Sequence, residues 1–286
     1  MDLSSIDSFM AIGAHCDDVD IRCGGTFARL VAEGKKGCYC VTTENAYTGE
    51  HWRAEGSHDA LATRRKEVGR ASRIIGADRV EWLGLKSHYF STEEPDSMVF
   101  PWFDNYENVC RQFKHFILEG GPPALNADRF PESSGRLRDL IEDFGPQVIF
   151  THSPDDRHPD HYSVARFVEI VVKKMNDDGQ EIELYFWEPG SFGPMADFAP
   201  DFFVELSSSH VAAKQKAMDC YESQFRKGCL DGFASARTSA YGGIVGVKHA
   251  EAFRHSCCPR FGAFKGKTGF IERLERGDSE REIYRL

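Results

Sequence analysis

Two short segments concentrate side chains that bind metals and transfer protons. The first is the run His15-Cys16-Asp17-Asp18, and the second covers residues 152–161, reading HSPDDRHPDH. The second segment holds three histidines and three aspartates within ten residues. Imidazole nitrogens and carboxylate oxygens are zinc ligands, and a carboxylate that is not a ligand can act as a general base. The chemistry that these residues permit is metal-assisted hydrolysis.

The two adjacent carboxylates of the first segment are expected to have different roles. In an extended or turning backbone Asp17 and Asp18 point different ways, so one can face a metal together with His15 while the other faces a substrate. The residues alone do not decide which carboxylate does which. A helix N-cap is the alternative interpretation, since aspartate is common at helix starts.

The second segment contains a proline that restricts its backbone. Pro159 fixes the backbone, and if a helix begins there, His161 lies in its first turn. A polar loop with an aspartate cap is the alternative. Two histidines and one carboxylate, with water in the fourth place, form a catalytic zinc arrangement, so the two segments together are more specific than either alone.

Both segments follow predicted buried strands, which is what brings them together. The predicted strands cover residues 8–14, 37–43, 79–83, 148–152 and 181–188, and the predicted helices cover residues 23–33, 60–75 and 160–174. Strands alternating with helices predict βαβ units, a parallel sheet and an α/β fold. Ligands of such sheets bind beyond the carboxyl ends of the strands, where the two segments are expected to meet.

The rest of the chain is expected to add to a single domain over residues 1–286. Residues 86–135 are rich in proline and predict an insertion or lid, with surface decoration as the alternative. The tail from about residue 208 reads as an appendage with a helix over 211–225, and Gly242 and Gly243 predict a turn.

Composition narrows the class of protein. Hydrophobic residues make up 41% and charged residues 28% of 286, which is typical of a globular protein. A net charge of −10 argues against nucleic acid as a partner. The start lacks a signal-peptide pattern, and no window has the roughly 18 apolar residues of a membrane span. Nine cysteines without a C-x-x-C pair are expected to be reduced, and these features predict a cytoplasmic protein.

These motifs resemble those of a known family. The run AHCDD is similar to the A-H-P-D-D-E motif of the LmbE-like or PIG-L deacetylases, and HPDH at residues 158–161 matches their second signature. Arg64 and Glu67 are similar to the family's R-x-x-E helix, and the resemblance covers about residues 8–255. It implies a Rossmann-like three-layer fold with a mainly parallel sheet, and removal of the N-acetyl group from GlcNAc-containing compounds with zinc.

The resemblance also implies a role for individual residues. His15, Asp18 and His161 correspond to the zinc ligands, with another divalent ion such as Fe²⁺ as an alternative, and Asp17 corresponds to the general base.

The remaining implied roles concern the substrate. His158 corresponds to the histidine that stabilises the oxyanion, Asp160 to the carboxylate that orients it, and Arg64 to an arginine that contacts the sugar. The expected partner is a small amino-sugar substrate, and relatives are often oligomers, which predicts a homo-oligomer.

Two positions depart from the family pattern. Cys16 stands where proline is usual, and Val19 stands where an acidic residue is usual. Asp20, one place later, is a possible substitute for the missing carboxylate.

Three other functions compete with a sugar deacetylase. A metal-dependent amidase on a non-sugar acetamide would use the same residues. A catalytically silent carbohydrate-binding relative would lack a metal. A nucleotide-binding module is disfavoured, because Gly13, Gly24 and Gly25 do not form G-x-G-x-x-G and an acidic loop repels phosphate.

Overall fold

The computed structural model describes residues 3–44, 59–85, 131–156, 158–189, 198–256, 268–272 and 282–285. The helices of these residues are α1 (Asp18–Ala32), α2 (Ala60–Ile74), α3 (Pro131–Phe144), α4 (Pro159–Asp177), α5 (Ser208–Met218) and α6 (Phe233–Val245). The strands are β1 (Ser8–Gly13), β2 (Lys36–Thr43), β3 (Arg79–Leu85), β4 (Val148–Thr151), β5 (Glu183–Trp187), β6 (Phe202–Glu205), β7 (Ala250–His255), β8 (Thr268–Glu272) and β9 (Glu282–Arg285).

One sheet joins the described strands in the order β3-β2-β1-β4-β5-β7-β6-β8-β9. The five strands from β3 to β5 in this order pair in parallel, and β7 pairs antiparallel with β5 and β6. The expected α/β fold with a mainly parallel, Rossmann-like sheet is confirmed.

Helices cover both faces of the sheet, so its central strands are apolar on both sides. On β1, Phe9 and Ala11 belong to a core with α1, α2 and α5, whereas Met10 and Ile12 belong to a second core with α3 and α4. The alternation follows from the two-residue period of a strand. The resulting three layers hold the sheet edge rigidly.

The chain changes direction across the sheet at β1. From β1 it continues to β2 on one side, while β4 lies on the other side and leads on to β5. Such a switch point leaves a crevice at the carboxyl ends of the two central strands, β1 and β4. The two motif-bearing loops therefore begin at the same crevice.

Helix α1 starts earlier than predicted. It begins at Asp18 rather than near residue 23, and Cys23 interrupts it with non-helical dihedrals (φ −129°, ψ 16°). The kink frees the amides of Gly25 and Thr26, which donate to the Glu251 carboxylate at 3.1 and 2.7 Å. A tertiary contact thus supports the interrupted helix, and Gly24 and Gly25 lie inside it.

The tail is built into the sheet rather than appended to it. Strand β7 lies between β5 and β6, which corrects the appendage predicted from about residue 208. The turn predicted at Gly242 and Gly243 is also wrong, because both lie within α6 and the chain turns at Gly246 (φ +73°). Gly242 is needed for close packing, since a Cβ there would lie 2.7 Å from the Val247 carbonyl oxygen.

The predicted insertion falls mostly outside the described residues, which leave out 86–130. Its last five positions, 131–135, form the start of α3. Within the described parts of the chain, no helix has both the length and the apolar character needed to cross a membrane.

Candidate metal centre

The connection from β1 to α1 is a tight loop anchored on β2. The Ala14 carbonyl accepts hydrogen bonds from the amide and the hydroxyl of Thr43, at 3.1 and 2.8 Å. Gly13 lets the chain fold back, because a Cβ there would lie 3.0 Å from the Cβ of Asp18. The His15 amide then donates to Asp18 Oδ2 at 2.5 Å. The loop thereby places His15 and Asp18 side by side at the end of β1.

The connection from β4 to α4 supplies the second group of side chains. Pro159 begins α4, where its fixed φ suits the helix and its missing N–H costs no hydrogen bond. His158 is the N-cap, and its Nδ1 accepts a hydrogen bond from the Asp160 amide at 3.2 Å. The helix begins one residue before the predicted start at about residue 160, and His161 lies in its first turn.

Three side chains from the two loops converge on one point. His15 Nδ1 lies 3.2 Å from His161 Nε2 and 3.4 Å from Asp18 Oδ2, and His161 Nε2 lies 3.3 Å from Asp18 Oδ1. Two ligands held about 2.0–2.1 Å from a tetrahedral ion lie about 3.3 Å apart. The spacing and the donor types of this central cluster (His15, Asp18 and His161) therefore fit a zinc-sized ion.

The second nitrogen of each histidine in the central cluster meets a carboxylate. Asp160 Oδ2 lies 3.0 Å from His15 Nε2, and Asp156 Oδ2 lies 3.0 Å from His161 Nδ1. Such partners fix the tautomer and ring orientation of metal-binding histidines. They leave His15 Nδ1 and His161 Nε2 as the nitrogens that face the centre. The sequence did not indicate either pairing.

The charged side chains of the central cluster shift one another's pKa values. Burial alone would lower the pKa of the histidines, but Asp18 with Asp160 raises the pKa of His15 to about 9, and Asp18 with Asp156 raises that of His161 to about 10. Burial would raise the pKa of Asp18, but the neighbouring histidines, led by His161, hold it well below its ordinary value. Histidines that hold an ion are neutral, so His15 and His161 would lose these protons on binding one.

His152 supports the cluster from behind. Its Nδ1 accepts a hydrogen bond from the Trp187 indole at 3.2 Å. Its Nε2 accepts one from the Ala14 amide at 2.9 Å and lies 3.1 Å from Asp18 Oδ2. Burial and the nearby charge of His161 lower the pKa of His152 to about 4. Two further donor sets are close enough to hold an ion, one with His152, Asp18 and His161 and one with His158, His15 and His161. Both nitrogens of His152 are engaged, and Nδ1 of His158 accepts from the Asp160 amide.

Asp17 stands apart from the histidines, at the N-cap position of α1, without a capping hydrogen bond from its side chain. Its Oδ1 lies 3.5 Å from Nη2 of Arg64, whose side chain is only 1% exposed. Glu67 holds the other side of the guanidinium, at 3.4 Å, and accepts hydrogen bonds from the amide and hydroxyl of Ser223. The R-x-x-E pair thus orients the carboxylate that precedes Asp18.

The two unusual positions of the first motif lie in the core. Val19 and the Cys16 side chain are fully buried. Asp20 faces away from the central cluster, and its Oδ2 accepts from the hydroxyls of Tyr39 and Tyr221 at 2.8 and 2.5 Å. The same hydroxyls bond the Cys16 carbonyl. Asp20 therefore fixes the loop between His15 and Asp17 through two tyrosines.

Replacing Tyr221 with phenylalanine is expected to lower the free energy of unfolding by about 1–3 kcal/mol, since it leaves buried acceptors short of a donor. The acceptors affected are Asp20 Oδ2 and the Cys16 carbonyl. Chemical denaturation measures the loss. Tyr162→Phe is the matched control, because Tyr162 is 47% exposed. Equal stability of the two variants would show that the buried hydroxyl contributes nothing.

The fold and the central cluster define an α/β protein with a candidate metal centre at the switch point of its sheet. A family model described as PIG-L, GlcNAc-PI de-N-acetylase, matches residues 10–172, and the chain belongs to this family. A relative from Mycobacterium sp. (strain KMS), a 1D-myo-inositol 2-acetamido-2-deoxy-alpha-D-glucopyranoside deacetylase, is 25% identical over 220 residues, or 72% of this chain. The match spans 64% of that relative's length.

Solved structures share the fold. The N,N'-diacetylchitobiose deacetylase from Pyrococcus horikoshii has a TM-score of 0.60 at 20% identity, covering 88% of this chain and 85% of its own. GalB, the 4-carboxy-2-hydroxymuconate hydratase of Pseudomonas putida KT2440, has a TM-score of 0.57 at 20% identity, covering 90% of this chain and 98% of its own. The same fold thus carries a deacetylase and a hydratase, and the reaction must be argued from the site.

Proposed function

We propose that this protein is a metal-dependent hydrolase that removes the N-acetyl group from a GlcNAc-type amino sugar or glycoconjugate and releases acetate. The observation that carries the proposal is the convergence of His15 Nδ1, the Asp18 carboxylate and His161 Nε2 at 3.2–3.4 Å. Membership of the PIG-L family and the mycobacterial relative's name support the substrate class.

The proposed cofactor is zinc, held by His15, Asp18 and His161. Two imidazoles and one carboxylate are a zinc donor set, and Fe²⁺ is a divalent alternative that accepts the same donors. When bound, the ion supplies Lewis-acid chemistry toward a carbonyl oxygen and toward water.

Asp17 is the proposed general base. It directly precedes Asp18 in the chain, and Arg64 at 3.5 Å holds its carboxylate in place. Asp17 accepts a proton from the attacking water and returns it to the leaving amine. Arg64 also keeps a buried Nε that has no hydrogen-bond partner within the described residues, which supports its role in contacting the sugar.

His158 is the proposed oxyanion donor. Its Nδ1 accepts from the Asp160 amide, so the neutral ring carries its proton on Nε2. The His158 ring lies 4.2 Å from the His161 ring, centroid to centroid, and this closeness to the central cluster supports the role. A fixed donor at the carbonyl oxygen stabilises the charge that develops there. Asp160 orients His158 through its backbone amide, while its carboxylate holds His15.

The substrate class is tested by acetate release from a panel. GlcNAc and N,N'-diacetylchitobiose represent amino sugars, and N-methylacetamide and N-acetylated amino acids represent acetamides without a sugar. We expect zinc-loaded protein to release acetate from at least one sugar, with a kcat/KM well above that for the other acetamides. Faster release from the non-sugar compounds would favour the alternative amidase. No release from metal-loaded protein would favour a silent carbohydrate-binding relative.

We further propose a partner class, a location and an assembly state for this protein. The acidic surface implied by a net charge of −10 supports a small-molecule substrate rather than nucleic acid. A cytoplasmic location and a homo-oligomeric assembly complete the proposal.

A further inference from the structure

Arg22 lies on the same face of α1 as Asp18, one helical turn further along. Side chains of a helix lean toward its N-terminus, so the guanidinium of Arg22 extends back toward the central cluster. Among the carboxylates, Glu188 has the largest electrostatic interaction with Arg22, followed by Asp156 and Asp18. A long cationic side chain therefore borders the place where the acetamide is proposed to bind.

A second arginine lies behind the first. Arg237, on α6, forms an ion pair with Glu188, which directly follows β5, and Tyr241 bonds the same carboxylate. Glu188 Oε1 is buried and has no hydrogen-bond partner within the described residues. Burial, and next the positive charge of Arg237, lower the pKa of Arg22. Glu188 therefore interacts electrostatically with both arginines, but it forms an ion pair with Arg237 alone.

Arg22 itself has no hydrogen bond or ion pair to any residue that the structure describes, although it is half-buried. The nearby carboxylates are already engaged: Asp18 contacts three histidines, and Asp156 pairs with His161. Glu188 is ion-paired with Arg237, so none of the three carboxylates forms an ion pair with Arg22. A guanidinium offers five donors in a planar fork that matches carboxylate and phosphate groups.

We propose that Arg22, backed by Arg237, forms a subsite for an anionic group of the substrate, a phosphate or a carboxylate, next to the acetamido group. The inference rests on the proposed function and narrows its substrate class to acidic amino sugars or acidic glycoconjugates. A fork of donors in a half-buried setting makes charge-assisted hydrogen bonds, which are the strong ones.

The test compares matched substrates with and without the charge. GlcNAc is the neutral reference, GlcNAc 1-phosphate and GlcNAc 6-phosphate carry the phosphate, and N-acetylmuramic acid carries the carboxylate. The readout is the ratio of kcat/KM for each anionic sugar to that for GlcNAc. We expect a ratio of about ten or more for at least one anionic sugar, and the sugar that gives it identifies the anion.

Substitution assigns this selectivity to one residue. Arg22→Gln is expected to lower the ratio about tenfold or more, and Arg22→Lys to give an intermediate ratio because a point charge replaces the fork. Arg73→Gln, an exposed arginine on α2, is the matched control and should keep the wild-type ratio. A wild-type ratio of one or less for all three anionic sugars would overturn the subsite, and so would an unchanged ratio in Arg22→Gln.

Binding separates the subsite from the reaction. Calorimetric titration of the metal-loaded protein compares glucosamine 1-phosphate, glucosamine 6-phosphate and muramic acid with glucosamine. Tighter binding of an anionic amine, lost in Arg22→Gln and partly kept in Arg22→Lys, is expected even if no acetate is released from any substrate, a result that would refute only the proposed function. Equal binding of the charged and neutral amines would overturn the subsite.

Discussion

Replacing Asp17 with asparagine is expected to lower kcat for deacetylation about 10²- to 10⁴-fold, the usual contribution of a general base. The amide is nearly the same size as the carboxylate but cannot take a proton from water. Asp17 is not one of the three converging side chains, so the metal content should stay at the wild-type level. Acetate release and metal analysis on the same preparation measure both effects.

The substitution Asp17→Asn also removes one partner of the buried Arg64 guanidinium, so its effect on stability must be measured separately. Unpaired buried charges destabilise proteins, so the midpoint of thermal unfolding is measured for each variant. Asp139→Asn, an exposed carboxylate on α3, is the matched control with an unchanged kcat. If folded, metal-loaded Asp17→Asn keeps a near-wild-type kcat, the assignment of the base is wrong.

Replacing His161 with alanine is expected to abolish turnover by a different route, the loss of the metal. The substitution removes one of the three converging donors, and it leaves the Asp156 carboxylate without the imidazole at 3.0 Å. A three-ligand site reduced to two holds an ion weakly. Asp17→Asn is the natural comparison: it should keep the metal and lose activity, whereas His161→Ala should lose both.

Much of the fold could be predicted because apolar runs mark buried strands. The segments before both motifs form β1 and β4, and parallel pairing places the ends of these strands together. The start of α1 could not be predicted, since Glu251, more than two hundred residues away, supports the kink at Cys23. The turn predicted from the glycines of α6 was wrong. Gly242 is required by close packing against the Val247 carbonyl oxygen and not by a turn at that position.

Part of the candidate site could also be predicted from the sequence. The two motifs follow neighbouring strands, and their side chains meet in the central cluster as expected. Its supporting contacts are tertiary: Asp160 holds His15 across 145 residues, and the Trp187 indole donates to Nδ1 of His152. Residue types alone did not indicate these pairs. Asp20 is a candidate substitute for the acidic residue that the family has at position 19. Its carboxylate contacts the hydroxyls of Tyr39 and Tyr221 and supports the loop through them.

His15, Asp18 and His161 are proposed to hold the ion on which acetate release depends. Zinc titration into chelator-treated protein, with acetate release from the best sugar of the panel as readout, tests it most directly. For wild-type protein we predict that activity rises with added zinc and levels off at about one ion per chain, as a single three-ligand site requires. His161→Ala should show no such rise. Full activity in the chelated, metal-free wild type, or an unchanged titration in His161→Ala, would contradict the account.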